Sequence, residues 1–97
     1  MRIEVTQNDI DKGCEKDCLK CPVALAINRV LRKPYVCYVD IPLIRIRKGR
    51  SLDFVCEILT PEVAIDFIRA FDPGRDVSPF SFDLSIPEEY VAELNAV

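Results

Sequence analysis

Three cysteines stand close together ahead of an apolar run: Cys14, Cys18 and Cys21, spaced C-x3-C-x2-C. Thiols in that pattern can hold a soft metal, exchange a disulfide, or simply cap and pack. Tetrahedral zinc or a conventional iron–sulfur cluster takes four protein ligands. The chain contains no His, so a fourth ligand would have to be Cys37, Cys56 or a carboxylate. As a redox pair, Cys18-x-x-Cys21 lies just before a helix and places Cys21 at its N-cap, where free N–H groups and the helix dipole lower a thiol pKa. Lys16 and Lys20 add to that effect, and Glu15 and Asp17 oppose it. A thioredoxin-like motif, however, follows a strand inside a βαβ unit, whereas a polar loop precedes this one. The plainer expectation has Cys21 capping the helix, Cys18 packed behind it and Cys14 incidental. Cys37 and Cys56, on strands, then behave as small buried apolar residues. A metal or thiol-redox site at Cys14, Cys18 and Cys21 stands as the alternative.

The same spacing resembles the cluster-binding motif of radical S-adenosylmethionine enzymes, in which three thiolates hold three irons of a four-iron cluster. That resemblance covers the eight residues 14–21 alone. Those enzymes are built on a partial or full α/β barrel, which when complete takes about 250 residues, so the resemblance is set aside for a chain of 97. The absence of His also excludes Ser-His-Asp and Cys-His triads and zinc sites that need imidazole. Gly13, Gly49 and Gly74 are isolated, so there is no phosphate-cradling loop. Asp72 and Asp76 flank a Pro-Gly turn, which accounts for Asp72 better than paired-carboxylate chemistry does. Phe80 and Phe82 share one strand face and read as core. No catalytic residue and no cofactor is expected.

Charge is unevenly spread. The chain has 13 Lys+Arg against 16 Asp+Glu, net −3. Residues 29–50 hold Arg29, Arg32, Lys33, Arg45, Arg47, Lys48 and Arg50 against one acid, Asp40, for a net +6, leaving −9 on the remainder. On a strand through Leu43 to Arg47, Arg45 and Arg47 share one face and Ile44 and Ile46 the other. The apolar pair is expected to face the helices and the arginine pair to face out. Tyr35 and Tyr38 fall on opposite faces of the neighbouring strand, so at most one of them joins this surface. A basic sheet face beside an aromatic side chain can bind single-stranded nucleic acid, but a sequence pI near 4.9 points elsewhere. The segregation favours a protein partner or a second copy of the chain, contacted through Arg45, Arg47, Lys48, Arg50, Arg32 and Lys33.

The elements that position these groups are readable from periodicity and caps. Arg2 to Val5 alternates as a first strand. Thr6 and Asp9 form a capping box with Asp in place of Glu, opening one helical turn that stops at Gly13. Pro22 is a first helical residue, and Val23, Ala26, Ile27, Val30 and Leu31 recur at helical spacing through Arg32. Tyr35 to Val39, Leu43 to Lys48 and Leu52 to Leu59 read as strands, the last two joined by a tight turn at Gly49-Arg50-Ser51. Thr60 caps a second helix with Pro61 first in it, carried by Val63, Ile65, Phe67, Ile68 and Phe71 to Asp72-Pro73-Gly74. Phe80 to Leu84 alternates as a strand, and Ser85 caps a last helix with Tyr90, Val91 and Leu94 on its apolar side. The order is β-α-β-β-β-α-β-α: one α+β domain over 1–97, a single mixed or antiparallel sheet of about four to five strands with two or three helices mainly on one face. The first strand, helix and second strand form a right-handed crossover, and the middle strands an antiparallel meander.

Ninety-seven residues support a single modest core, burying about 60–65% of the unfolded surface. The start, Met1-Arg2-Ile3-Glu4-Val5, has no apolar signal region, and no stretch approaches the roughly 20 apolar residues of a membrane span. An odd number of cysteines, five, fits a reduced cytoplasmic setting. Asp17-Cys18-Leu19-Lys20-Cys21-Pro22-Val23-Ala24-Leu25-Ala26, together with Phe67-Ile68-Arg69-Ala70-Phe71-Asp72-Pro73-Gly74 and Val77-Ser78-Pro79-Phe80-Ser81-Phe82, resembles a group of short bacterial and phage proteins to which no function is attached. The resemblance implies a small stand-alone cytoplasmic protein, phage-borne or acquired, and brings no activity with it. The reading is a non-enzymatic binding module acting through a protein partner or its own copies, with nucleic acid as a lesser partner and no membrane.

Overall fold

Side chains along Arg2–Val5 alternate strictly, with Ile3 and Val5 buried and Arg2 and Glu4 exposed. The computed structural model, which describes residues 1–51 and 53–95, begins with this strand, β1. It continues through α1 (Gln7–Lys12), α2 (Pro22–Val30), β2 (Tyr35–Val39), β3 (Leu43–Lys48), β4 (Phe54–Leu59), α3 (Glu62–Phe71), β5 (Phe80–Asp83) and α4 (Glu88–Leu94). The fold is α+β and the elements follow the expected order, except that the turn after Thr6 forms a helix of its own, giving four helices among the described residues where two or three were expected. Leu52, the expected start of the third middle strand, lies outside the described residues. No helix is long and apolar enough, among the described residues, to cross a membrane.

The strands divide between two antiparallel sheets, β1–β5 and β2–β3–β4, where one sheet was expected. The expected crossover within one sheet is therefore not formed. Its physical reason lies in α2, which packs on both β1 and β2. The free edge of β2 is already closed by other groups. Asn28 on α2 donates from Nδ2 to the Cys37 carbonyl (3.2 Å) and accepts from the Cys37 N–H at Oδ1 (2.7 Å). The Cys18 carbonyl accepts from the Val39 N–H (2.8 Å). With those backbone groups spent, β1 pairs instead with β5, Ile3 opposite Phe82 and Val5 opposite Phe80.

The capping box at α1 forms as expected: Thr6 Oγ1 accepts from the Asp9 N–H and Asp9 Oδ2 from the Thr6 N–H. Asp9 is buried, and Arg29 from α2 meets it with two hydrogen bonds of 2.7 and 3.0 Å while also donating to the Glu4 carbonyl. Gly13 follows α1 because a Cβ there would stand 2.6 Å from Pro22 Cδ and 2.8 Å from the Asp9 carbonyl oxygen.

Two expected caps are not made. Neither α3 nor α4 has a side-chain cap bond, and each has a proline at its N-cap, Pro61 and Pro87. Thr60 is buried, and its hydroxyl donates to the Asp40 carbonyl (2.6 Å) instead of accepting from an N–H of its own helix. Ser85 stays exposed ahead of α4. The helix α2 also ends at Val30, two residues short of Arg32, because Leu31 leaves it to bridge Asn95. The core joins both sheets through Ile3, Val23, Ile27, Cys37, Ile44, Ile46, Leu84 and Leu94. Phe67 packs tilted against Phe80 and Phe80 stacks on Phe82, with ring centroids 4.8 and 5.6 Å apart, placing the two strand phenylalanines in or against the core as read from the sequence.

Candidate functional site

Alternation on β2, β3 and β4 sends Tyr35, Cys37, Val39, Ile44, Ile46, Cys56 and Ile58 inward, where all are buried. Their neighbours Val36, Tyr38, Leu43, Arg45, Arg47, Phe54, Glu57 and Leu59 form the outer face, on which no residue is buried. The arginine pair thus faces out as expected, and Tyr38 is the tyrosine that joins it.

Pairing sets the geometry of this face. Tyr38 lies opposite Arg45 and Val36 opposite Arg47, while Arg45 lies opposite Glu57 and Arg47 opposite Phe54. A register shift between Ile46 and Arg47 brings Phe54 to the outer side. Strict alternation from Cys56 and Ile58 would have sent it inward. Phe54 is the member of this site that the sequence reading missed, and the bulge is the reason.

The guanidinium of Arg47 lies 4.4 Å from the Phe54 ring centre and 4.9 Å from that of Tyr38. Both separations are within cation–π range. Its Nε is shielded from solvent and has no hydrogen-bond partner, and no ion pair to Arg47 is present among the described residues. Arg45 differs: its Nε meets Glu57 Oε2 at 3.1 Å, with its guanidinium 5.3 Å from the Phe54 ring. Both members of that ion pair are well exposed, so it contributes little. Arg47 is the cation on this face without an ion-pair partner among the described residues.

The remaining basic residues gather at one end of the same sheet. The Gly49 N–H donates to the Pro34 carbonyl (2.9 Å), which sets Arg32 and Lys33 beside the turn that carries Lys48 and Arg50. All four are exposed. Gly49 takes φ +61°, the left-handed conformation that this tight turn requires.

The cysteines form a second assembly behind this sheet. Cys21 is the N-cap of α2, as read from the sequence, its Sγ accepting from the Ala24 N–H at 3.4 Å. Its pKa, however, moves opposite to the expected direction. Burial at 4% exposure pushes the thiol up to about 11, and the helix N–H groups offset this only in part. Cys37 is pushed up further by burial, with the thiols of Cys21, Cys56 and Cys18 adding to the effect. Cys56 is also raised, by burial and then by Glu93. Cys18, expected to pack behind the cap, is exposed, as is Cys14. No three His, Cys, Asp or Glu side chains converge as metal ligands among the described residues.

Cys18 and Cys21 do share the wall of one cavity of about 420 Å³, with Lys16, Asp17, Asp40, Asp72, Val39, Ile41 and Ile68. The cavity lies where the cysteine loop, the β2–β3 turn and the end of α3 meet. Asp72 Oδ1 accepts from the Lys16 N–H (3.0 Å), tying the loop to α3. Comparison with protein-family models, curated proteins and solved structures gives no match.

Proposed function

We propose that the protein is a non-enzymatic, cytoplasmic binding module that docks an acidic segment of a protein partner on the outer face of β2, β3 and β4. The observation that carries this reading is Arg47: a cation held in place between Tyr38 and Phe54, with no ion-pair partner among the described residues, on a sheet face that buries no residue. Holding the side chain between two rings reduces the rotamer entropy lost when a carboxylate binds. Arg45, and the cluster of Lys48, Arg50, Arg32 and Lys33 beside it, extend the positive surface. Arginine with aromatic residues is also the composition that carries binding energy at protein interfaces. A nucleic-acid platform is less well supported, since a base stacking on Tyr38 or Phe54 would compete with the guanidinium for the ring faces.

Titration of isotopically labelled protein with an oligo-glutamate peptide tests the reading. Resonances of Tyr38, Arg45, Arg47 and Phe54 are expected to shift, and oligo-lysine to move none of them. Arg47→Glu, on a surface position, should abolish the response while the spectrum stays dispersed. An unchanged response in that variant, or a stronger one to oligo-deoxythymidylate, would overturn the proposal. Sedimentation without peptide distinguishes a second copy of the chain as the occupant.

A further inference from the structure

We infer that Cys18 and Cys21 are a dithiol that closes to an intramolecular disulfide by exchange with a positively charged disulfide. This inference is independent of the docking face and uses a different part of the molecule. Three observations carry it. The Cys21 N–H donates to the Asp17 carbonyl (2.9 Å), so residues 17–21 form one closed turn. Cys18 and Cys21 stand three residues apart within that turn, where Cβ atoms are about 5–6 Å apart, and a small loop rotation brings them to the span of a disulfide. Cys18 is exposed and Cys21 buried, and both line the same cavity. An incoming disulfide therefore meets Cys18 first, with Cys21 behind it to complete the exchange.

The wall charges define the substrate class. Asp17, Asp40 and Asp72 face the cavity against Lys16 alone. Asp17 is held in place by the N–H groups of Leu19 and Lys20, and Asp72 by that of Lys16. An anionic disulfide is repelled here and a cationic one is concentrated. Cys14 is on the same loop, its N–H bonded to the Lys20 carbonyl (2.8 Å), but it does not line the cavity.

The exchange balances as two displacements. The Cys18 thiolate attacks one sulfur of R–S–S–R, forming a mixed disulfide and expelling one thiolate, which takes up a proton. Cys21 loses its proton to solvent and attacks the Cys18 sulfur, breaking the bond to the second R–S group and releasing it. The chain gives up two electrons and two protons, and the reagent leaves as two free thiols. Placing Cys21 at the N-cap limits the damage to the fold, because the sulfur is a weak acceptor in either state and the helix keeps its other first-turn contacts.

The experiment uses the reduced full chain at low ionic strength, mixed with cystamine or with glutathione disulfide at equal concentration. It is read by intact mass and by peptide mapping. Cystamine is expected to yield a Cys18–Cys21 link about tenfold faster than glutathione disulfide, the ratio shrinking at high salt. Cys21→Ser keeps a good capping side chain and should trap cysteamine on Cys18. Cys18→Ser should abolish both products, and Cys14→Ser should change neither. A mixed disulfide that persists in the unsubstituted chain, or a link that uses Cys14, overturns the pair. Equal rates with the two reagents at low salt overturn the assignment of a cationic substrate.

Discussion

The side-chain amide of Asn28 pairs with the backbone of Cys37 as a neighbouring strand would, donating to its carbonyl and accepting from its N–H. One side chain on α2 thereby ends the sheet at β2 and holds the helix to it. Removing it leaves both Cys37 backbone groups unpaired beside a fully buried side chain. Asn28→Ala should cost about 2–3 kcal/mol of stability, the penalty of buried groups left without partners. Urea denaturation should show a lower midpoint with an unchanged slope. Asn28→Asp, which keeps the acceptor and loses the donor, should fall between the two.

Asp9 makes stability depend on pH. Burial would raise its carboxyl pKa, but the hydrogen bonds from Arg29 and Thr6 outweigh burial and hold it below the usual 3.8. A carboxyl depressed in the folded state stabilises fully above its unfolded pKa, and that stabilisation is lost as pH falls through the folded value. The wild-type chain should therefore lose stability on acidification below about pH 4. Asp9→Asn should be less stable at neutral pH by about 2 kcal/mol, from weakened charged hydrogen bonds. The gap between the two chains should narrow in acid, as thermal melts from pH 7 to pH 2 would show.

Gly13 is a packing requirement, since its φ of −68° suits any residue. Gly13→Ala would place a methyl group 2.6 Å from Pro22 Cδ and 2.7 Å from Cγ. Such overpacking should cost about 1–3 kcal/mol. Ala at Gly74 meets only Glu15 Oε2 at 3.3 Å, a movable side chain, but takes a strained φ of +83°. Its smaller cost, about 1 kcal/mol, is conformational. Chemical denaturation of the two variants separates the mechanisms by size.

Thiol labelling of the native chain should be biphasic. Cys14 and Cys18 are exposed, whereas Cys21, Cys37 and Cys56 are buried. At pH 8 two thiols should react quickly with a maleimide, whose thioether cannot exchange, and three slowly. Denaturant should merge the phases. Because the Cys21 thiol is pushed up to about 11, its labelling with iodoacetamide should keep accelerating well above pH 9. A protein with Cys21 as reactive as Cys18 at pH 7 would contradict this placement.

Much of the fold was legible because its signals are local. The Thr6–Asp9 capping box, Pro22 at the start of α2 behind the Cys21 cap, and the alternation through Ile44, Arg45, Ile46 and Arg47 each depend on residues close in sequence. Thr60 and Ser85 mislead for the same reason. Each matches a cap signature, but Thr60 is buried and has a carbonyl, that of Asp40, within reach from 20 residues away. The Cys21 pKa was read in the wrong direction because dipole and N–H effects follow from position in a helix, while burial depends on what packs around it.

The sequence by itself determined the α+β order, the outward arginine pair and the cap at Cys21, since period, proline position and charge spacing are properties of the chain. Tertiary structure decided the division into two sheets, because Asn28 and Cys18 occupy an edge that no local pattern shows to be taken. It also decided the two candidate sites. A bulge turns Phe54 outward to hold Arg47, and the meeting of the cysteine loop with α3 and the β2–β3 turn sets three aspartates around Cys18 and Cys21. These are contacts between residues far apart in the chain, and only folding brings such groups close enough to interact.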